Sequence, residues 1–125
     1  MRAISLWQPW ASFIAIGVKP YETRSWSPPS RLIGQRIAIH AAKQRVDADD
    51  VEWWRLVSKG QAGPLPFGAI VCTAILAADF PAQDVPWDEF GDYAQGRRAW
   101  HLTQIERLEP AIPARGAQGF WSWNP

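Results

Sequence analysis

Eleven prolines are spread from Pro9 to Pro125, and each removes a backbone donor and fixes φ near −65°. Such a chain needs many irregular connections between short elements, and a helical bundle is excluded. Nine tryptophans supply large aromatic surfaces, the bulky filling that a small core requires. At 125 residues the chain has the size of one domain, residues 1–125, able to bury a core without cross-links. Thirteen Lys and Arg against twelve Asp and Glu leave a net charge of +1, so no global field draws it to nucleic acid or to an anionic membrane. Any anion binding must be local. The single Cys72 excludes an internal disulfide and argues against a cysteine-rich zinc site. The N-terminus lacks the layout of a signal peptide and no apolar run approaches a membrane span, so a cytoplasmic location without a membrane partner is expected.

Periodicity divides the chain into short elements. RAIS at 2–5 alternates and reads as a strand. Pro9 suits a helix start, Trp10, Phe13 and Ile14 fall at helical spacing, and Gly17 ends a helix of about two turns. YETRSW at 21–26 is extended until the prolines of SPPS stop it. QRIAIHAA at 35–42 is a second alternating strand. Asp47 is a candidate cap for a helix running to Lys59 and Gly60, with Asp49, Asp50 and Glu52 placed for cap electrostatics and Trp53, Leu56 and Val57 as its apolar stripe. AIVCTAILAA at 69–78 is apolar on both faces, as a strand under a helix or inside a barrel is. Residues 99–108 read as another strand whose apolar phase shifts between Leu102 and Ile105, the mark of a bulge. Phe120 and Trp121 to Trp123 suggest a last short strand. Scattered strands with two helices between them define an α+β domain around a small, strongly bent sheet or barrel.

The stretch GVKPYETR at 17–24 carries the chemistry. On an extended segment the period of two puts Glu22, Arg24 and Trp26 on one face and Tyr21, Thr23 and Ser25 on the other. Lys19, held by the turn after Gly17 and restricted by Pro20, can lean back over Glu22 and Arg24. Two cations and one carboxylate form a receptor for phosphate, in which Glu22 either orients the cations or acts as a base. The competing reading is a solvated turn whose exposed ion pairs contribute about 1 kcal/mol or less.

These residues resemble a known family. LWQPWASFIAIGVKPYETRSW at 6–26 is similar to the opening of ASCH (activating signal cointegrator homology) domains, whose hallmark Gly-x-Lys-x-x-Glu-x-Arg is matched by Gly17, Lys19, Glu22 and Arg24. GQRIAIHAAK at 34–43, FGDYAQGRRAWHL at 90–102 and IPARGAQGFW at 112–121 resemble later segments of the same family. The resemblance implies a PUA-like small β-barrel flanked by helices, with Lys19, Glu22 and Arg24 lining a cleft beside the first helix. It implies a ligand that is RNA, DNA or a nucleoside, and no cofactor. Family members are regarded as nucleic-acid-binding modules, as amidohydrolases on N4-acylated cytidine, or as metal-independent nucleases on single-stranded RNA.

Under the binding reading, single-stranded RNA or a nucleotide-derived ligand occupies the cleft, with DNA as a second possibility and no obligate protein partner. Trp7, Trp26 and Trp100 offer stacking faces, while Trp10 and Trp121 belong to the core. Arg24, Arg31, Lys43, Arg97 and Arg98 are available for phosphates. The nucleic-acid-binding candidates are Lys19, Glu22, Arg24, Trp7, Gln8, Ser25, Trp26, His40 and Lys43. His40 sits at a strand end beside Lys43; for both it and His101 a satisfied position in the barrel wall is the competing reading. Two histidines and one cysteine at wide spacing do not point to a metal.

Under the enzymatic reading the catalytic candidates are Lys19, Glu22 and Tyr21. An amidohydrolase requires a lysine of lowered pKa as nucleophile or base. Amidohydrolase members carry a threonine where this chain has Glu22 and a separate glutamate farther along. Thr23 is adjacent to that position but on the opposite face, and Glu106 stands in for the other only by lying on a strand. That departure ranks hydrolysis second to binding.

Overall fold

The computed structural model describes residues 1–60 and 62–125. Six strands, β1 (Arg2–Leu6), β2 (Tyr21–Arg24), β3 (Arg36–Ala41), β4 (Ala69–Pro81), β5 (Arg98–Pro113) and β6 (Phe120–Ser122), alternate with two helices, α1 (Trp10–Ala15) and α2 (Ala48–Val57). They form one sheet in the order β2-β5-β4-β3-β1-β6. Among the described residues only β1 and β3 run parallel; the other neighbours are antiparallel. Among the described residues no helix is long and apolar enough to cross a membrane.

The sheet curls into a half-barrel because β4 and β5 are long and irregular. Their register shifts at three places, and Gln104 takes φ +50° at one of them. An extra residue there re-phases the strand and bends it, so that Leu102 and Ile105 both reach the core, as the phase shift in the sequence predicts. β5 continues past Leu108 to Pro113 because a further register shift, between Cys72 and Ile70 of β4, takes up Pro110.

β3 and the first half of β4 are buried on both faces. Ile4, Leu6, Ile37, Ile39, Val71, Leu76, Leu102 and Trp100 pack inside the curl with Ile14 of α1. Ala3, Ala38, Ile70 and Trp123 form a smaller cluster on the outer side, with Trp121 packed against it.

The curl brings the two ends of the sheet together without a ladder between them. The Arg24 guanidinium of β2 donates Nη2–H to the Ser5 carbonyl of β1 at 3.0 Å. Trp100 donates its indole N–H to the Trp26 carbonyl at 3.2 Å and stacks on Phe120 of β6, 5.6 Å between ring centres. Side chains therefore close the barrel where backbone pairing stops. Trp100 is fully buried in this closure, which removes it from the stacking faces expected from the sequence.

Helix α2 is capped as its sequence requires, the Asp47 carboxylate accepting the Asp50 N–H at 2.9 Å. Its buried face differs from the Trp53, Leu56 and Val57 stripe. Leu56 is 60% exposed, and Trp54 is the buried residue at 4%. The reason is that α2 packs on an aromatic ridge: Phe13 of α1 lies 4.7 Å from the Trp53 ring and 5.8 Å from the Trp54 ring. Two adjacent aromatics against one phenyl ring turn Leu56 outward, while Val57 stays half-buried. Trp54 then donates its N–H to the Gly63 carbonyl at 2.9 Å. Trp54→Ala is expected to lower the unfolding free energy by about 3–5 kcal/mol, and Leu56→Ala by less than about 0.5 kcal/mol. Urea denaturation of both variants checks the contrast, and similar losses in the two would contradict this packing.

Candidate functional site

Gly17 follows the cap of helix α1, and its φ of +85° turns the chain back; the Lys19 N–H bonds to the Phe13 carbonyl at 3.2 Å. This turn drives the Lys19 side chain under the sheet, where it is 1% exposed. Its ammonium donates to the Tyr21 carbonyl at 2.7 Å and to the Phe90 carbonyl at 3.0 Å, and lies 3.6 Å from Glu22 Oε1. The other oxygen, Glu22 Oε2, accepts from Arg24 Nε at 2.8 Å. Arg24 reaches on to Ser5, while its Nη1 has no partner among the described residues. One carboxylate thus sits between two cations, all three at least three-quarters buried.

Burial pulls the Lys19 pKa below the usual lysine value of 10.5. The charges of Glu22 and Asp88 oppose that pull and Arg24 adds to it. An isolated ammonium is costly to bury, and a nearby carboxylate lowers the cost.

The loop at 85–97 forms the cleft's other wall. Thr23, on the alternate side of β2, accepts the Asp92 N–H at 2.9 Å, and Arg97 donates to the Thr23 carbonyl at 3.1 Å. Asp88 ties the loop internally, accepting from the Phe90 N–H and the Tyr93 hydroxyl. Burial and that bond to Asp88 raise the Tyr93 pKa, so its hydroxyl remains a donor. The open cleft has a volume of about 610 Å³. Trp7, Trp10, Trp53 and Phe90 form its aromatic walls, and Lys19, Glu22, Arg24, Glu89 and Asp92 line it with charge.

A second cavity of about 1190 Å³ adjoins the first, sharing Ser5, Trp7 and Arg24 with it. Trp26, His40 and Lys43 lie here, with the loop at 113–119 as its far wall. His40 is 3% exposed and fully engaged. Its Nε2 bonds to the Ala114 carbonyl at 2.8 Å, so Nε2 carries the proton, and Nδ1 meets the Ser5 hydroxyl at 2.9 Å. A satisfied wall histidine is the role this geometry gives it.

Several sequence candidates fall outside both cavities. Tyr21 points away from Glu22 and Arg24 and stacks on His101, 5.0 Å between ring centres, because strand alternation sends it to the other face. Gln8 is 2% exposed, and its amide accepts from the Ser12 N–H and donates to the Ser12 hydroxyl and the Pro66 carbonyl. It caps α1 and ties it to the loop at 62–68. Ser25 is exposed and lines neither cavity. Arg98 is spent on Asp79 in a two-pronged pair, and Arg97 on Thr23 and Asp92. Glu106 faces Arg36, and Arg31 lies on the short turn Ser30–Leu32, both away from Lys19.

Sequence reasoning missed the acidic wall. DEFGD at 88–92 reads as an irregular connection, yet a dense acidic run around a glycine was the available signal for Glu89 and Asp92. Trp10 and Trp53, which helical spacing puts in the core, both face the cleft instead, Trp10 only partly packed against the core, and no local signal marks either as cleft-facing.

A curled half-barrel of six strands with two helices, and a charged cleft beside the first of them, is a PUA-like α+β domain. The sequence profile of the ASCH domain matches residues 4–112, and the chain belongs to that family. The solved structure of an ASCH protein from Zymomonas mobilis superposes with a TM-score of 0.56 at 20% identity, covering 90% of this chain and 72% of that one. Two single-substitution variants of that protein match with the same TM-score, at 19% and 20% identity; one covers 90% of this chain and 74% of its own, the other 90% and 72%. This likeness concerns the fold. No curated protein matches the chain.

The charge arrangement makes a prediction about Lys19. Its ¹⁵Nζ resonance should titrate below 10.5, lower still in Glu22→Gln and higher in Arg24→Gln, following the signs of the two neighbouring charges. Because the unfolded chain then holds more protons between the folded value and 10.5, stability from this group rises with pH across that window. An ordinary or raised titration in the wild type would contradict the burial.

Proposed function

We propose that this domain binds single-stranded RNA, or a ligand derived from a nucleotide, with an unpaired base in the first cavity. The observation that carries this reading is the cavity's composition: aromatic walls surround a guanidinium edge and several carboxylates. Aromatic faces stack bases irrespective of sequence. Carboxylates accept from exocyclic amino groups, and an arginine edge donates to ring nitrogens and carbonyls. Three carboxylates against two cations line this cavity, and the cations are engaged already with Glu22 and with backbone carbonyls. A phosphate bound here would face net negative charge, so the phosphate receptor expected from Lys19 and Arg24 becomes a base pocket.

A second reading, hydrolysis of an N4-acylated cytidine, is favoured by one observation. Burial lowers the Lys19 pKa, and a neutral amine has two N–H groups for the two carbonyls it faces, leaving its lone pair free. Such an amine is a nucleophile or a base. Glu22, 3.6 Å away, is then placed to take or return a proton.

One experiment tests both readings. Wild type and Trp7→Ala are titrated with a labelled single-stranded RNA and incubated separately with N4-acetylcytidine. Trp7 is 61% exposed, so its removal leaves the fold intact. Binding by the variant should weaken by about 1–3 kcal/mol, the stacking contribution of one base. Equal RNA affinity in both proteins would overturn the base pocket. Deacylation that rises with pH in the wild type and disappears in a Lys19→Met variant whose circular dichroism melt shows it folded would establish the enzymatic reading.

A further inference from the structure

The first cavity holds an excess of carboxylates, which leaves the phosphates of a bound strand without a site there. The second cavity has the opposite character. Arg24, Lys43 and Arg115 line it, and no carboxylate does. Arg24 is neutralised by Glu22, whereas Lys43 and Arg115 make no ion pair or hydrogen bond among the described residues. Two unmatched cations therefore face about 1190 Å³ of accessible space on a protein whose net charge is only +1. Charges separated by more than about 8–10 Å are screened at physiological salt, so the local balance decides what binds.

The backbone around these cations is shaped to hold them. A Cβ on Gly68 would lie 2.7 Å from Lys43 Cε, so the absence of a side chain there lets the lysine stem lie against the chain. A Cβ on Gly116 would lie 2.6 Å from His40 Cε1 and 2.7 Å from the Ser5 hydroxyl. With His40 bonded to the Ala114 carbonyl, this close approach seats the loop that carries Arg115 on the barrel. Ser5, Trp7 and Arg24 border both cavities, so the path from the base pocket to the two cations is continuous.

We infer that the second cavity is a phosphate subsite, in which Lys43 and Arg115 bind the phosphodiester adjoining the nucleotide whose base occupies the first cavity. This rests on the base-pocket reading. It makes the preferred ligand a strand of at least two nucleotides, with single-stranded RNA as the class and the backbone crossing Trp7.

The test compares wild type, Lys43→Met/Arg115→Gln and Trp7→Ala for binding to a single-stranded RNA octamer and to cytidine 5′-monophosphate at several salt concentrations. RNA integrity is checked on a gel. Methionine keeps the stem that packs on Gly68, and both changed side chains are exposed, so the double variant folds; a circular dichroism melt verifies it. The double variant should bind the octamer about tenfold or more weakly, and its slope of log K against log salt should fall by about 0.7, the share of one neutralised phosphate on a single strand. Loss of octamer affinity without loss of mononucleotide affinity identifies the bound phosphate as the diester; equal losses for both ligands overturn the strand path. Wild-type affinity and slope in the double variant, with Trp7→Ala weakened, overturn the subsite and leave the base pocket standing. No octamer binding by the wild type overturns both.

Discussion

A single carboxylate, Glu22, sits between two cations, and this arrangement holds both the barrel and the cleft together. Arg24, bound to Glu22 at 2.8 Å, also reaches the Ser5 carbonyl and so ties β1 to the edge strand β2, with which it shares no ladder. Lys19, on the other side of Glu22, donates to the Phe90 carbonyl and so fixes the loop that walls the cleft. Burying these charges is costly, and removing one partner of such a group exceeds the loss of a surface pair several-fold, about 3–5 kcal/mol against at most about 1. Substitutions in the triad therefore change fold and function together, which is why exposed residues such as Trp7 and Lys43 separate the two more cleanly.

Around that triad the two cavities divide the work by charge. Carboxylates from the loop at 85–97 turn the first into a place for amino groups and aromatic faces, and the loop at 113–119 brings a cation to the second. The charge of +1 for the whole chain conceals this partition, because opposite local imbalances cancel in the sum. A short single strand exploits the partition better than a duplex does, since its bases are free to leave the backbone path.

Much of this architecture is legible in the sequence. Alternating apolar residues mark β1 and β3, Asp47 marks the start of α2, and the shift in phase between Leu102 and Ile105 marks the bulge that bends β5. The period of two on YETR places Glu22 beside Arg24 before any coordinates exist. What the sequence does not reveal depends on long-range contacts. Trp54 turns inward only because Phe13, forty-one positions earlier, sits between it and Trp53. Gln8 resembles a site residue in its motif, yet its amide is consumed by Ser12 and Pro66. Glu89 and Asp92 lie on an irregular segment, where periodicity carries no information about direction, and Arg115 joins His40 and Lys43 only through the curl of the sheet.

The central claim, a base in the first cavity, is tested most directly by the tryptophan indole N–H resonances during titration with single-stranded RNA. Nine tryptophans report from distinct places. Trp7 and Trp53, which line the first cavity, should shift or broaden together at substoichiometric RNA, while buried Trp54 and Trp100 and the exposed Trp87, which lines neither cavity, stay still. Movement of Trp87 alone, or of no indole at RNA concentrations that saturate the protein, would contradict the account.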